Sequence, residues 1–462
     1  MTTPAASNAP HAASAAANPR LQAMLKGPVL PTVARLAWPN LAMMLAQSST
    51  GLIETWFVSR LGTAPLAGMA LVLPVLMLLQ NMAGGAMGGG ISAAVSRALG
   101  GGRHAEASSL ALHAVAINAG LGIVSSAALL LAGPYLYRAL GGSGAALDAA
   151  LTYSDIVFAG SVMMWVMNAL ASVIRGTGNM VTPGAVICGG ALLLIPLSPS
   201  LIFGWGPMPE LGIAGAGVAM LIYYALGAAV LAWYCLSGRN AAKLQRGPLR
   251  WPLAMEILSV GGVAAINPFI TNTMIGATTA MVGASFGVSA LAGYGTGVRL
   301  EYLVIPVAFG IGAPLVAMVG SNLGARQPAR VRQIALIGGA MSFAVTEAIG
   351  LCAAIWPLSW LRLFGTDPGM LATGTTYLRV VGPFYGFFGL GFALYFASQG
   401  ARRLKWPLLA GLLRLLVAVG GGWLAIHLTG SLVAFFAASA LGMVLYGAVI
   451  ASVFLFGFRE TS

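Results

Sequence analysis

Long apolar runs follow one another along almost the whole chain. An α-helix needs about 20 mostly apolar residues to cross the hydrocarbon core of a bilayer, and about twelve segments meet that length. They lie near 36–58, 66–96, 108–133, 151–174, 184–204, 212–236, 253–282, 290–320, 333–356, 372–398, 406–427 and 430–457. None shows the period-two alternation of a membrane β-barrel. Only 7% of the residues are charged, against roughly 25% in soluble domains, and the deficit extends along the whole length. The expected fold class is therefore an all-α integral membrane protein with about twelve transmembrane helices.

A net charge of +13 would suit nucleic acid, but the location of the charges argues for topology instead. With both termini cytoplasmic, 17 of the 23 Lys and Arg fall on cytoplasmic tails and loops. Arg60, Arg138 and Arg362 fall outside, and Arg299, Arg379 and Arg414 fall within apolar segments. That asymmetry orients such proteins in a cell (inner) membrane. Residues 1–28 lack the apolar core of a signal peptide and read as a disordered cytoplasmic tail. Cys188, Cys235 and Cys352 have neither metal spacing nor a disulfide pattern.

The chain repeats. LGTAPLAG at 61–68 lies over FGVSALAG at 286–293, with a shift of 225. RALGGGRHAEA at 97–107 lies over SNLGARQPARV at 321–331, and RGTGNMVTP at 175–183 over QGARRLKWP at 399–407, both with a shift of 224. Each unit holds six segments, so the halves share one orientation, as in a parallel repeat about an axis along the membrane normal. The expected layout is an N-lobe at 29–237, a basic cytoplasmic linker at 238–252 and a C-lobe at 253–458. Substrate would sit between halves that alternate in access. A duplicated channel or receptor would show the same repeat.

No HExxH, GxSxG, P-loop or Cys/His cluster occurs, so neither an enzyme nor an ATP-driven pump is indicated, and no cofactor is implied. An ion gradient is the simpler energy source. Ionisable groups inside a membrane are expensive and point to function. Glu54 stands out because Gln47, Thr50, Gly51 and Glu54 share one helix face. Low dielectric favours the neutral acid and a nearby cation favours the carboxylate, so such a group can exchange H+ or Na+ for a cationic substrate. A hydrated acid near the outer interface is the plainer reading. Glu301 is second, and Arg299, two residues away, points to another face. Glu347 reads as structural. Asn267, Thr271 and Thr278 form a further polar stripe that lines a cavity or ties helices together. Met163, Met164, Trp165, Met167 and Asn168 in the fourth segment, and Phe384, Tyr385, Phe387, Phe388, Tyr395 and Phe396 in the tenth, suit an adaptable site or ordinary packing. The run GGAMGGG at 84–90 marks close helix approach or a bend.

Over about residues 30–455 the sequence resembles the multidrug and toxic compound extrusion (MATE) family. The telling stretches are WPNLAMMLAQSSTGLIETWFVSRLGTAPLAG at 38–68, RGTGNMVTP at 175–183, FGWGPMPELGIAGAGVA at 203–219 and ALAGYGTGVRLEYLVIPVAFGIGAPLVAMVGSNLGA at 290–325. The resemblance implies two six-helix lobes, a monomer, and export of organic cations or other amphipathic small molecules driven by H+ or Na+. It places Glu54 where relatives carry an acid, and Glu301 where members of the DinF-like branch do. Ser198-Pro199 stands where an Asp-Pro pair is usual, and Thr271 where NorM-like members carry an acid. Too few oxygens then remain for Na+, whereas a proton needs one carboxylate. The expectation is H+ coupling through Glu54 with Ser198 and Gln47 nearby. A flippase for a lipid-linked precursor is the alternative, and it would need several basic groups in a central cavity.

Overall fold

The computed structural model describes residues 19–457, and the helices there are joined by short loops with no β-strand among them. The disordered tail expected for residues 1–18 lies outside the described residues. Its end is corrected, because Pro19–Lys26 is a helix. Leu21 and Met24, three residues apart, are buried. The Met24 carbonyl accepts from Asn322 Nδ2 at 3.0 Å, and the Gly27 carbonyl from Arg330.

The spans are α1 Val29–Ser59, α2 Thr63–Gly100, α3 His104–Ala139, α4 Gly144–Ala159 with Ser161–Gly176, α5 Val181–Phe203 and α6 Ile213–Leu236. Trp251–Gly324 follows as one continuous stretch of 74 residues. At 1.5 Å per residue it runs to about 110 Å, far more than a bilayer core of about 30 Å can hold. It turns at Gly287, whose φ of 83° and ψ of −176° are not helical. We therefore divide it into α7 (251–286) and α8 (288–324). Next come α9 Pro328–Ile355, α10 Pro368–Gly400, α11 Lys405–Thr429 and α12 Leu432–Phe456. Counting the bent α4 pair, at 48°, as one span and dividing the long stretch at Gly287 gives twelve crossings among the described residues.

Contacts divide the chain into two units. One holds Ala42–Gly262 and the described residues up to Gln22, and the other holds Ala23–Leu41 and the described residues from Val263 onward. This division does not fall at 28/29 or 252/253. The start of α1 belongs with α8, where Asn40 bonds the Gly310 carbonyl, and the start of α7 belongs with α2, where Glu256 pairs with Arg97 at 3.2 Å. Within the first unit α4 packs on α3 and α6, and α5 on α6. Within the second, α10 packs on α9 and α12, and α11 on α12.

The repeat is written into the backbone. Gly62 and Gly287, matched at a shift of 225, both sit at a helix junction with positive φ (117° and 83°) and extended ψ (179° and −176°). Only a residue without Cβ adopts that region readily. Gly102 and Gly178 are left-handed at 73° and 80°, and the residues 224 further on, Arg326 and Arg402, hold the same conformation at 57° and 56°. A side chain there is strained by about 1 kcal/mol. Gly68 and Gly293 are close-approach mates: a Cβ on the first would strike Ala146 and Ala150, and on the second Met370 and Gly374.

Prolines within the spans leave carbonyls without their helical partner. Pro314 frees the Gly310 carbonyl, and Asn40 Nδ2 reaches it at 3.3 Å. Pro268 frees that of Ala264, just where the helix is interrupted at Ala265, and the Tyr395 hydroxyl donates to it at 3.1 Å. The glycine run gives α2 a π-helical turn over Asn81–Met87, and Gly90 lies against the backbone of Ile257 and Gly261.

Two outcomes follow for thermal unfolding of the detergent-purified protein. Arg402→Gly should raise stability by up to about 1 kcal/mol and Gly178→Ala should lower it by a similar amount; equal effects of one sign would contradict the strain argument. Asn40→Leu should cost about 1 kcal/mol by stranding the Gly310 carbonyl, and unchanged melting would show that this bond contributes nothing.

Candidate functional sites in the two units

Glu54 stands on the inner face of α1 and is buried at 5% exposure. Residues of α5 spaced three and four apart, Ala191, Leu194, Ile195 and Ser198, face it and enclose a cavity of about 10 Å³ with Thr50 and Ile53. That is about the smallest space that admits a water. The Thr50 hydroxyl is turned onto its own helix, donating to the Gln47 carbonyl at 2.7 Å. Glu54 Oε1 and Ser198 Oγ are both buried without a hydrogen-bond partner among the described residues. Tyr153 of α4 and Tyr224 of α6 lie within electrostatic reach of the carboxyl. Gln80 fixes Tyr224 at 2.8 Å, and the Gln47 side chain is directed at Tyr223. No Lys or Arg lines this cavity.

The second unit has a cavity of about 20 Å³ between α7, α8, α10, α11 and α12. Glu301 enters it from α8 and accepts from the Tyr377 hydroxyl of α10. Arg414 of α11 enters opposite, 3.8 Å from Glu301 Oε2. Its guanidinium lies 4.9 Å over the Phe388 ring and 5.8 Å over Tyr446. Thr278 and Tyr294, hydrogen-bonded at 2.9 Å, and Ser439 complete the polar wall.

The two cavities are repeat mates. At a shift of 225, Thr50 and Ile53 fall on Ile275 and Thr278; at 224, Leu194 falls on Ala418; all six line their cavities. Tyr153 falls on Tyr377 at 224. The charges do not repeat. Glu54 falls on Thr279, whose hydroxyl bonds its own helix at 2.7 Å, and Arg414 falls on Gly190.

The MatE family model matches residues 39–200 and 264–424, well over half of the chain and once in each half. The chain belongs to the MatE family. Among curated relatives, an FAD transporter of Shewanella oneidensis is 28% identical over 81% of this chain and 82% of its own length. A probable multidrug resistance protein NorM of Thermotoga maritima is 25% identical over 81% of each. That of Deinococcus radiodurans is 26% identical over 82% and 84%. Among solved structures, a MOP-superfamily transporter from Pyrococcus furiosus superposes with a TM-score of 0.87 over 95% of this chain and 98% of that one, at 22% identity. An outward-facing multidrug resistance MATE transporter gives 0.85 over 94% and 97%, at 21% identity. The fold is that of a MATE transporter, and the protein is a multi-pass membrane transporter of a family whose curated members include multidrug resistance proteins.

Of the residues singled out in the sequence, Thr50, Glu54 and Ser198 meet in one cavity, while Gln47 sits a turn away. Asn168 donates to the Met164 carbonyl of its own helix at 3.0 Å. Thr271 bonds the Asn267 carbonyl at 3.1 Å and is not part of the cavity wall, and Asn267 faces Gly411. Tyr385 is buried in the same aromatic cluster as Tyr377. Glu347 accepts from the Gly386 N–H at 2.7 Å, a structural bond. Arg299 lies over Phe364, away from Glu301. Arg414 and Tyr377 were missed as partners of Glu301. Their signal was a lone Arg within an apolar segment, which names no partner by itself.

Ser198→Ala should leave stability within about 0.5 kcal/mol of wild type, because the hydroxyl has no protein partner to lose. A drop of 2 kcal/mol or so on that scale in thermal unfolding would show a bond that the cavity geometry lacks.

Proposed function

We propose that this chain is a secondary antiporter that exports organic cations or other amphipathic compounds in exchange for H+, with Glu54 as the coupling acid. The observation that carries this reading is the buried Glu54 carboxyl, whose Oε1 has no protein partner and which shares a cavity with an unpaired Ser198 hydroxyl. A buried carboxylate without a donor is costly, and a proton removes that cost. A cationic substrate near Glu54 would remove it too, so proton and substrate compete for one charge. Competition of that kind, joined to alternating access of two lobes, is antiport.

Thr50, Glu54 and Ser198 are the oxygen-bearing side chains of the cavity wall, and Thr50 is committed to its helix. Hard cations take about six oxygens, so this set favours H+ over Na+. The neighbouring tyrosines and the absence of lining Lys or Arg suit a cation more than an anion at this site. The basic cytoplasmic loops support an inner-membrane location with cytoplasmic termini. The Shewanella relative is an FAD transporter, which supports keeping amphipathic compounds other than organic cations among the substrates.

The test is ethidium efflux from everted membrane vesicles with an imposed proton gradient, comparing wild type and Glu54→Gln at matched expression. Wild type should extrude the dye without Na+, and the variant should lose at least about tenfold of the rate. Full pH-driven efflux by Glu54→Gln would remove Glu54 from coupling, and an absolute need for Na+ would remove the proton.

A further inference from the structure

The guanidinium of Arg414 is buried in a membrane span, 7% exposed, and lines the cavity of the second unit. It carries five N–H donors in a rigid fork. In the structure it has an ion pair at 3.8 Å and two ring faces, and no direct hydrogen bond to a described residue. Arg–carboxylate pairs that hydrogen-bond close to about 2.8 Å. Glu301 is meanwhile engaged by the Tyr377 hydroxyl. The acid has its donor, and the Arg has no acceptor. The Phe388 and Tyr446 rings lie 4.9 and 5.8 Å from the guanidinium carbon, contacts that engage its charge and supply no hydrogen-bond acceptor.

We propose that this cavity is a binding site for an anionic headgroup, a carboxylate or phosphate monoester, of an amphipathic substrate, with Arg414 as its bidentate anchor. The inference deepens the reading of the chain as an exporter of amphipathic compounds, and it does not depend on Glu54. Two oxygens of either oxyanion supply the acceptors that the fork lacks. At about 20 Å³ the cavity admits little more than water, so the body attached to that headgroup enters as the flexible side chains of Met274 and Met443 move aside along a wall shared with Ile275, Val298 and Ala418. Glu301 then acts as a competitor. Its charge holds Arg414 loosely when the site is free of substrate and repels an incoming anion. The repeat mate of this cavity carries an acid and no Arg, so the two units would serve opposite charges.

The experiment is calorimetric titration of the purified full-length protein in dodecyl maltoside with four matched probes: naphthylacetate, naphthyl phosphate, the methyl ester of naphthylacetate, and naphthylmethylammonium. The acid and the phosphate should bind at least about tenfold more tightly than the ester in wild type, a comparison that needs no variant. Arg414→Gln should weaken the acid by about tenfold or more, with Arg414→Lys between the two. Glu301→Gln should move it the other way and tighten acid binding. A merely structural ion pair would instead make both removals act in one direction. Addition of phosphatidic acid, whose headgroup is a phosphate monoester, separates the sources: competition with naphthylacetate identifies a lipid headgroup as an occupant, and indifference identifies a soluble solute, both at Arg414. Equal affinity for acid and ester, acid binding unmoved by Arg414→Gln, or ammonium as the tightest probe would each overturn the inference. Ethidium efflux in vesicles judges the exporter reading separately, since its failure leaves acid binding at Arg414 intact.

Discussion

Everything in this chain answers to one constraint: in hydrocarbon, each backbone N–H and C=O must find its partner within the protein. Uninterrupted helices meet it on their own. The interruptions that make this protein more than a bundle each need separate provision. The Gly310 carbonyl freed by Pro314 is met by Asn40, and the Ala264 carbonyl freed by Pro268 is met by the Tyr395 hydroxyl. The turn between α7 and α8 is made by one glycine at positive φ, so almost no chain is spent outside a helix. These provisions also join segments far apart in sequence. Asn40 and Gly310 are 270 residues apart, and their bond places the start of α1 with the second unit.

The same economy governs charge. Buried ionisable groups persist in a membrane when they are paired or put to use. Glu256 meets Arg97, Glu347 meets the Gly386 amide and Glu301 meets Tyr377. Among the described residues, Glu54 and Arg414 are two cavity-lining groups whose protein partners fall short, one without a donor at Oε1 and the other without a hydrogen-bond acceptor. They lie in cavities that share three matched wall positions across the repeat. Duplication thus provided two chambers at corresponding places, and their walls diverged to carry different charges.

The repeat itself was legible, because glycines at junctions and close approaches recur at a constant shift. Gly62 and Gly287, or Gly68 and Gly293, are selected by sterics that act locally. Glu54 was legible as well, since an acid in an apolar run has no benign default, and its stripe with Thr50 follows from helical periodicity. Arg414 was visible only as an oddity. Its relation to Glu301 spans 113 residues, and helical periodicity could set Arg299, two residues from Glu301, on another face but could not name Arg414 in its place.

By itself, the sequence determined that the chain crosses a membrane, how often, that its segments repeat and which acids lie inside, because hydropathy, helix length and glycine sterics are local quantities. Tertiary structure alone decided which buried groups meet. The division of α1 and α7 between units, the pairing of Arg97 with Glu256, and the joining of Glu301, Tyr377 and Arg414 around one cavity all depend on how helices rotate and stack. That rotation is set by close packing among many side chains at once, and no local pattern encodes it.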